Sequence, residues 1–333
     1  MKHSVRTTIL LLAMIVALVL PAFANGTVEA PASGTPSYKI GVSKLLAHPA
    51  LDAAEKGMQD YLATTGLDVS YDLQNANGDI STAASIAQKF KSDKVDVAVG
   101  IATPSAQALA NVFDTTPVVY SAVTDPVEAG LVADNICGVS DSNPVEAQIK
   151  LLVQITGAKT VGNIYASGEA NGVVLMEMAK KACENLGVEF VSAAISNSSE
   201  VKMATQSIIG RVDAIYVATD NAVISALASV DDVCTKAGKT LLCADPSGID
   251  GLNCMIAWGF NYYSIGVATG KVVEKAIKGE SPKSIGTVYL TDPADFELWF
   301  NLDTAKKLGY TIPQSLQDTA AVLIKDGKKI IQK

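Results

Sequence analysis

From Lys39 onward, short apolar runs rich in β-branched residues alternate with longer stretches of helical periodicity. Apolar strands that alternate with helices are typical of a parallel sheet whose two faces are covered. The elements predicted for this first part are strands at 39–42, 68–73, 95–100 and 117–120 and helices at 50–64 and 81–92. The pattern therefore predicts an α/β lobe.

The same rhythm starts again after the turn at 141–144, with a new helix and then further strands. We predict strands at 160–165, 188–193, 214–218 and 240–243 and helices at 172–186 and 222–237. Gly238 follows the last of these helices, at the position where glycine commonly ends a helix. A second lobe of the same kind is expected, so the predicted fold class is α/β with two Rossmann-like lobes built on parallel sheets.

A distant internal repeat relates the two lobes, because residues 94–104 resemble residues 211–220. Each segment has a basic residue, Val-Asp, an apolar strand and Ala-Thr before a predicted helix. The spacing is too long for a solenoid and fits equivalent strands in two lobes. Open parallel sheets bind ligands at the carboxyl ends of their strands, next to unpaired N–H groups of the following helix. We expect Thr103 and Thr219 to face each other across a cleft, although each would also serve as a helix N-cap.

Other predicted strand ends are followed by polar loops in otherwise apolar surroundings. These loops are residues 43–52, 121–126, 166–171 and 244–247. Any one of them could be an ordinary turn. Their recurrence in both halves favours a mostly apolar pocket with a few orienting polar groups.

The N-terminus has the features of a secretory signal peptide. Two basic residues precede an apolar run at 9–20, and a small-residue site follows at 22–24. The run is shorter than the ~20 residues that a membrane-spanning helix needs, which disfavours a retained anchor. We predict cleavage after Ala24, a flexible leader at 25–37, and export to a periplasm or the extracytoplasmic face. No cysteine stands near the cleavage site, so a lipid anchor is not expected.

Composition and charge narrow the possible partners. After loss of the signal peptide, about 300 residues remain, which suits two domains better than one core. Loss of Lys2 and Arg6 leaves 24 basic against 34 acidic residues, a net charge of −10, and this disfavours nucleic acid or an anionic membrane as a partner. The five cysteines cannot all pair within the chain, and none is in a C-x-x-C arrangement. We expect buried cysteines, no cofactor and no metal.

An enzyme is the main alternative to a protein that only binds a ligand between its lobes. The predicted mature chain has one histidine, His48, and contains neither G-x-S-x-G nor G-x-G-x-x-G. A pair formed by His48 and Asp52 would be an incomplete metal site. A transcription regulator would need a helix-turn-helix module, which the pattern does not show. We expect no enzymatic activity, with a periplasmic enzyme as the weaker alternative. A ligand-sensing subunit of a membrane receptor is a further alternative, because a transport protein and a sensor both depend on closure of the two lobes around the ligand.

Several strings along the chain resemble one protein family. They are Ile40-Gly41-Val42-Ser43, His48 to Ala54, Asn75 to Asp79, Ala102 to Ala106, Ala122 to Pro126, Val139-Ser140-Asp141, Ala214 to Val217 and Thr219-Asp220-Asn221. In this order, over about residues 39–313, they resemble the ABC-transporter substrate-binding proteins that bind tryptophan, tyrosine or phenylalanine. The resemblance implies a monomeric, extracytoplasmic protein that delivers a small ligand, with an aromatic amino acid favoured, to a membrane permease.

The resemblance also implies a type I periplasmic-binding-protein fold, in which three crossover segments join the lobes. We place the crossovers near Asn143, Trp258 and Tyr289. The first lobe would then comprise residues 38–143 and 258–288. The second would comprise residues 144–257 and 289–333.

For an amino-acid ligand, charge suggests roles for the polar side chains. The α-carboxylate is expected at the helix start from Thr103 to Ser105, where the helix dipole favours an anion. The α-ammonium needs a carboxylate, from Asp220 or Asp245, and the side chain would rest near His48. The candidate ligand-binding residues are His48, Thr103, Ser105, Thr124, Asp125, Asn171, Thr219, Asp220, Asn221 and Asp245.

For two sets of aromatic side chains, a structural role is an alternative to ligand contact. His48 could equally be a loop histidine that hydrogen-bonds a neighbouring carbonyl. The aromatic group Trp258, Phe260, Tyr262 and Tyr263 is expected to serve hinge and core packing before ligand contact.

Overall fold

The structure, a computed structural model, describes residues 37–332. The predicted signal peptide at 1–24 and the leader up to residue 36 lie outside the described residues. Ser37, expected in the leader, is the first residue of the first strand. Between residues 37 and 332, no helix combines the length and apolar character needed to cross a bilayer.

Strands and helices alternate along most of the chain. The strands are β1 (Ser37–Lys44), β2 (Asp68–Asn75), β3 (Val97–Ile101), β4 (Val118–Val123), β5 (Ile136–Ser140), β6 (Thr160–Ala166), β7 (Glu189–Ile195), β8 (Ala214–Val217), β9 (Thr240–Cys243), β10 (Ile256–Phe260), β11 (Thr287–Tyr289), β12 (Phe296–Asn301), β13 (Val322–Lys325) and β14 (Lys328–Ile331). The α-helices are α1 (Pro49–Ala63), α2 (Ile80–Ser92), α3 (Thr103–Ala110), α4 (Val145–Thr156), α5 (Ala170–Leu186), α6 (Val201–Ile209), α7 (Asn221–Ser225), α8 (Leu227–Ala237), α9 (Tyr262–Ile277), α10 (Pro282–Ile285), α11 (Leu302–Leu308) and α12 (Gln314–Gln317). Short 3-10 turns lie at Ser198–Glu200, Pro246–Gly248 and Pro293–Asp295.

The first sheet is parallel throughout, with the strand order β11-β5-β4-β3-β1-β2. Every residue of β3, β4 and β5 is buried, as expected for central strands with helices on both faces. One hydrophobic cluster lies between this sheet and helices α1 and α9, and another lies between the sheet and helices α2 and α3. The first lobe therefore has two core layers around one sheet.

The second sheet has the strand order β14-β13-β12-β10-β9-β8-β6-β7. It is parallel from β7 to β10, whereas β12 runs antiparallel to β10, and β14 runs antiparallel to β13. Its core also lies on both faces, against α4 and α5 on one side and α6 and α8 on the other. The last three strands widen this sheet beyond the elements predicted from sequence.

The chain passes from one sheet to the other three times: after β5, after β10 and after β11. The expected second boundary at Trp258 falls inside β10, which pairs along its length with β12 of the second sheet. Helix α9, which follows, packs in the core of the first lobe. This pairing favours a second crossing near Asn261, and we propose the lobe boundaries on that basis.

Close packing of helices α1 and α9 places His48 and Tyr262 at the edge of the first sheet. A methyl group built on Gly266 would lie 2.1 Å from the carbonyl oxygen of Ala54, and one on Gly57 would lie 2.3 Å from that of Tyr263. Glycine is required at both positions because the two backbones touch. The contact fixes the starts of both helices, where His48 and Tyr262 are located.

Candidate functional site

A narrow cavity lies between the carboxyl ends of the two sheets. Its lining residues come from both lobes and are His48, Leu51, Ala122, Thr124, Asp141, Asn171, Thr219, Asn221, Ile224, Asp245 and Tyr262. The free space inside is about 10 Å³, on the order of one water molecule. The lobes therefore stand close together, and a larger ligand requires them to separate or the lining side chains to turn.

Six of the ten residues predicted from sequence meet in this lining. They are His48, Thr124, Asn171, Thr219, Asn221 and Asp245. The strands of the internal repeat, β3 and β8, belong to different sheets, as the two-lobe interpretation requires. Thr219 lines the cavity, but its counterpart Thr103 does not.

Thr103 and Ser105 are both buried at the start of helix α3, outside the lining. The Ser105 hydroxyl lies 3.5 Å from that of Ser43, and the Thr103 hydroxyl has no hydrogen-bond partner in residues 37–332. This arrangement does not support a ligand carboxylate at this helix start, so that assignment stays a prediction.

Asp125 and Asp220 also lie outside the lining, and backbone N–H groups occupy their carboxylates. Asp125 accepts hydrogen bonds from the N–H groups of residues 127 and 128, at 2.9 and 3.0 Å. Asp220 accepts them from Ala166 at 2.6 Å and from Val223 at 3.1 Å. An aspartate that directly precedes a helix looks the same in sequence whether it caps that helix or contacts a ligand. The geometry shows that Asp220 caps helix α7, whereas Asp125 precedes a turn at 126–130 and holds the N–H groups of that turn.

The first lobe contributes a buried acid that the sequence analysis did not select, Asp141. Its carboxylate accepts hydrogen bonds from the Tyr262 hydroxyl at 2.7 Å and the Thr124 hydroxyl at 3.3 Å. Burial raises the pKa of Asp141 to about 6, against the lowering effect of these two donors. Asp141 belongs to the Val-Ser-Asp string noted in the sequence, which was the available signal. Tyr262 belongs to the core of the first lobe, as the sequence analysis expected, and also lines the cavity.

Across the cavity, the second lobe presents Asp245. It is 1 % exposed, and one of its oxygens accepts a hydrogen bond from the Ser247 N–H at 2.8 Å. Burial raises the pKa of Asp245, while the charge of His48 lowers it. Among residues 37–332, the lining includes no lysine or arginine, so a positive charge opposite Asp245 comes from His48 or from a ligand.

His48 lies directly before helix α1 and is 8 % exposed. No described residue meets the geometry of a hydrogen bond to either ring nitrogen, although Asn221 lies close enough to raise the pKa of the imidazole. Burial lowers that pKa by more than Asp245 and Asn221 raise it. The neighbouring-carbonyl interpretation of this histidine is therefore not supported. Buried polar atoms without partners are rare in native proteins, and at a cavity wall they are available to a ligand or a water molecule.

Two alanines adopt a backbone conformation that is uncommon for residues other than glycine. Ala102 follows β3 with φ 77°, and Ala122 lies near the end of β4 with φ 57°. The N–H of Ala102 donates to the carbonyl of Ser121 at 2.9 Å, which holds the two strand ends together. Non-glycine residues with positive φ persist where the surroundings determine them, commonly at ligand sites.

Asp220 makes a pH-dependent contribution to stability. Burial, together with the nearby Glu169, raises the pKa of Asp220 to about 7. Since the folded pKa is above the unfolded value, this contribution is complete below about pH 4 and is lost as pH rises to about 7. We expect the free energy of unfolding of the wild type, relative to that of D220N, to increase by roughly 1 to 2 kcal/mol between pH 8 and pH 5.5. Urea unfolding of the ligand-free proteins at both pH values measures this difference.

The comparison with D220N cancels titrating groups that do not interact with Asp220, such as His48, whose lowered pKa acts in the opposite direction. A difference between the two proteins that stays constant, or shrinks, towards pH 5.5 would contradict a buried, proton-binding Asp220.

Three known proteins are similar to this chain in sequence. A tyrosine-binding protein of Clostridioides difficile is 35 % identical over 280 residues, which cover 81 % of this chain and 80 % of that protein. A crystal structure from Streptococcus pneumoniae, an ABC domain in complex with L-Trp, is 32 % identical with a TM-score of 0.82 and covers 87 % of this chain and all of that one. The ligand-free, open structure of a substrate-binding protein from Clostridium difficile is 34 % identical with a TM-score of 0.62, over 83 % of this chain and 96 % of that one.

The two crystal structures have nearly equal sequence identity to this chain but different TM-scores, 0.82 and 0.62. The lower score belongs to the open structure, so the lobes of this chain stand closer to the arrangement of the L-Trp complex. This agrees with the small free volume between them.

The match to a family model extends over nearly all of the two lobes. The model describes ABC transporter substrate binding proteins and matches residues 39–324. The fold, the cavity between the lobes and this match agree, and the chain belongs to the ABC transporter substrate binding protein family.

Proposed function

We propose that this protein binds an amino acid in the interlobe cavity, with an aromatic side chain favoured, and delivers it to the permease of an ABC importer. The observation that carries the proposal is a lining that, within the described part of the chain, has two buried carboxyl groups, Asp141 and Asp245, and no lysine or arginine. Burial lowers the pKa of His48, the cationic candidate within the lining, so a cationic group of the ligand is the favoured partner for an ionised carboxylate there, because unpaired buried charge is costly. The α-ammonium of an amino acid is a cation of suitable size.

The ammonium group would be held by Asp245, whose carboxylate has a single hydrogen bond from the described residues. Asp141 is less available, since Tyr262 and Thr124 donate to both of its oxygens. The ligand side chain would lie against the apolar part of the lining, Leu51 and Ile224. Leu51, Ala122 and Ile224 are the apolar members of the lining, which is therefore mostly polar, unlike the mostly apolar pocket expected from the sequence. The tyrosine-binding and L-Trp-bound relatives support an aromatic side chain.

Binding would be coupled to lobe movement. His48 and Asp245 come from different lobes, so a ligand that contacts both stabilises the closed arrangement and leaves the open one unaffected. The closed protein then presents its two lobes at a fixed spacing to the permease. We propose that the chain acts outside the cytoplasmic membrane as a monomer, with binding and release as its complete activity.

A thermal-shift screen across the amino acids tests this proposal. The protein should be unfolded and refolded first, so that any ligand retained from expression is removed. We expect L-tyrosine, L-tryptophan or L-phenylalanine to raise the melting temperature in a concentration-dependent manner, because a ligand of the native state stabilises it in proportion to RT ln(1 + [L]/Kd). A screen in which no amino acid stabilises the protein would refute the proposal.

A further inference from the structure

A third buried acid, Glu169, lies behind the cavity wall in the second lobe. It is 8 % exposed and does not line the cavity. One carboxylate oxygen accepts hydrogen bonds from the side-chain amides of Asn221 at 2.6 Å and Asn171 at 3.4 Å. The other accepts from the backbone N–H of Ala222 at 3.1 Å. Glu169 thus joins the starts of helices α5 and α7, and its contacts come from the protein itself.

These contacts determine which end of each asparagine amide faces the cavity. Burial raises the pKa of Glu169, whereas the hydrogen bonds from Asn221, Ala222 and Asn171 lower it and favour the ionised form. An ionised carboxylate only accepts hydrogen bonds, so the amide edge turned towards it must be the NH₂ group. The NH₂ group of Asn171 also donates to the carbonyl of Thr219 at 3.3 Å, which occupies its second hydrogen. The side-chain oxygens of Asn171 and Asn221 are therefore directed away from Glu169.

Both asparagines line the cavity, and the side-chain oxygen of Asn171 is buried with no hydrogen-bond partner in the described part of the chain. Together with Asp245, these oxygens make the second-lobe side of the cavity rich in hydrogen-bond acceptors. A wall of acceptors discriminates strongly, because a ligand without matching donors leaves them buried and unpaired.

We propose that Glu169 is a positioning residue that holds Asn171 and Asn221 with their oxygens towards the cavity, so that the site selects ligands carrying an ammonium group. This inference rests on the proposed function and adds the origin of its selectivity. Glu169 does not touch the ligand; it acts through the two amides. The preferred ligand class is a primary amine with a carboxylate, and the class rejected is the same acid without its amino group.

The test measures affinities by calorimetry for L-tyrosine and for 3-(4-hydroxyphenyl)propanoate, which lacks the amino group. In Glu169→Gln (E169Q), one acceptor remains for the N–H of Ala222, so the new NH₂ group faces Asn221 and forces its amide to turn. We expect E169Q to lose about tenfold or more in affinity for L-tyrosine, the effect of one hydrogen bond to a charged group. Binding of the des-amino acid should be unchanged or tighter, because that ligand has no ammonium to lose a partner and the turned amide removes an acceptor that it leaves unpaired.

A compensating double variant distinguishes loss of amide positioning from a general disturbance of the folded site. In E169Q/N221D, the new NH₂ group can donate to the introduced carboxylate, whose other oxygen faces the cavity as an acceptor. We expect this variant to recover L-tyrosine affinity to within about threefold of the wild type, whereas N221D alone, with two facing carboxylates, does not. If E169Q fails to fold, the comparison of E169Q/N221D with N221D carries the test.

The outcomes distinguish the two proposals. Wild-type protein that binds neither L-tyrosine nor another amino acid would overturn the proposed function and this inference together. Wild-type protein that binds L-tyrosine, combined with equal losses for both ligands in E169Q or no recovery in E169Q/N221D, would overturn the role of Glu169 and leave the proposed function standing.

Discussion

Replacing Asp245 by asparagine is expected to weaken amino-acid binding by about 30-fold or more while leaving the ligand-free protein equally or more stable. Loss of one partner of a desolvated charge pair costs about 2 kcal/mol or more of binding free energy, and 1.4 kcal/mol corresponds to tenfold. Burial raises the pKa of Asp245, which means that the folded protein bears a cost for its charge. The neutral amide removes that cost, so affinity and stability should move in opposite directions.

Calorimetric titration with L-tyrosine or L-tryptophan and urea unfolding of the refolded protein measure the two effects. The matched control is D250N, since Asp250 lies five positions further along the same loop, is exposed, and pairs with Lys329 at 2.8 Å. D250N should bind as the wild type does, because surface ion pairs contribute little. Wild-type affinity in D245N would show that the ammonium is not held by Asp245.

Gln148 is expected to be the most sensitive polar residue of the crossover region. It is fully buried, its amide NH₂ donates to the carbonyl of Trp258 at 2.6 Å, and its oxygen accepts from the Tyr216 hydroxyl at 2.7 Å. It also lies 3.3 Å from the side-chain oxygen of Asn143, at the first crossing. Gln148→Leu (Q148L) leaves the buried hydroxyl of Tyr216 unpaired, so we expect a loss of roughly 2 to 4 kcal/mol in the free energy of unfolding.

Equilibrium urea unfolding measures this loss, and Q154L on the exposed side of the same helix is the control. Ligand affinity should fall in Q148L as well, since the amide of Asn143 donates to the Thr219 hydroxyl of the cavity at 3.4 Å. A Q148L protein as stable as Q154L would mean that this network does not stabilise the crossover.

Local sequence patterns predicted most of the elements that carry the site. Strand β9 and the end of α8 at Gly238 lie where the pattern placed them, and Gly238 has the left-handed φ of 63° that a helix stop requires. The predicted helix at 222–237 is instead two helices, because Ala226 leaves the helical region with φ −115°. An alanine gives no local signal for such a break, which arises from tertiary packing.

Local sequence patterns did not predict strands β12 to β14, for a different reason. β12 pairs antiparallel with β10 after the third crossing, and β14 closes the edge of the sheet. The position of these strands depends on which lobe the chain enters after each crossing. Contacts between residues distant in sequence determine that choice. The expected boundary at Trp258 shows the same limit, since only the pairing of β10 assigns that strand to the second sheet.

The candidate site was likewise predicted only in part from the sequence. Polar loops at strand ends contribute six of the ten predicted residues to the cavity lining, because parallel strands bring their carboxyl ends to one edge. The pattern could not tell Asp220, whose carboxylate is used by backbone N–H groups, from Asp245, whose carboxylate borders the cavity. Asp141 was missed as a site residue because it precedes a crossover, where side-chain direction depends on the packing of both lobes.

A crystal structure of the refolded protein with the amino acid that stabilises it most tests the central claim directly. We predict electron density for the ligand between the lobes, with its ammonium nitrogen within hydrogen-bond distance of the Asp245 carboxylate and of an asparagine side-chain oxygen. A ligand bound elsewhere, or one whose carboxylate faces Asp245 instead, would contradict the account.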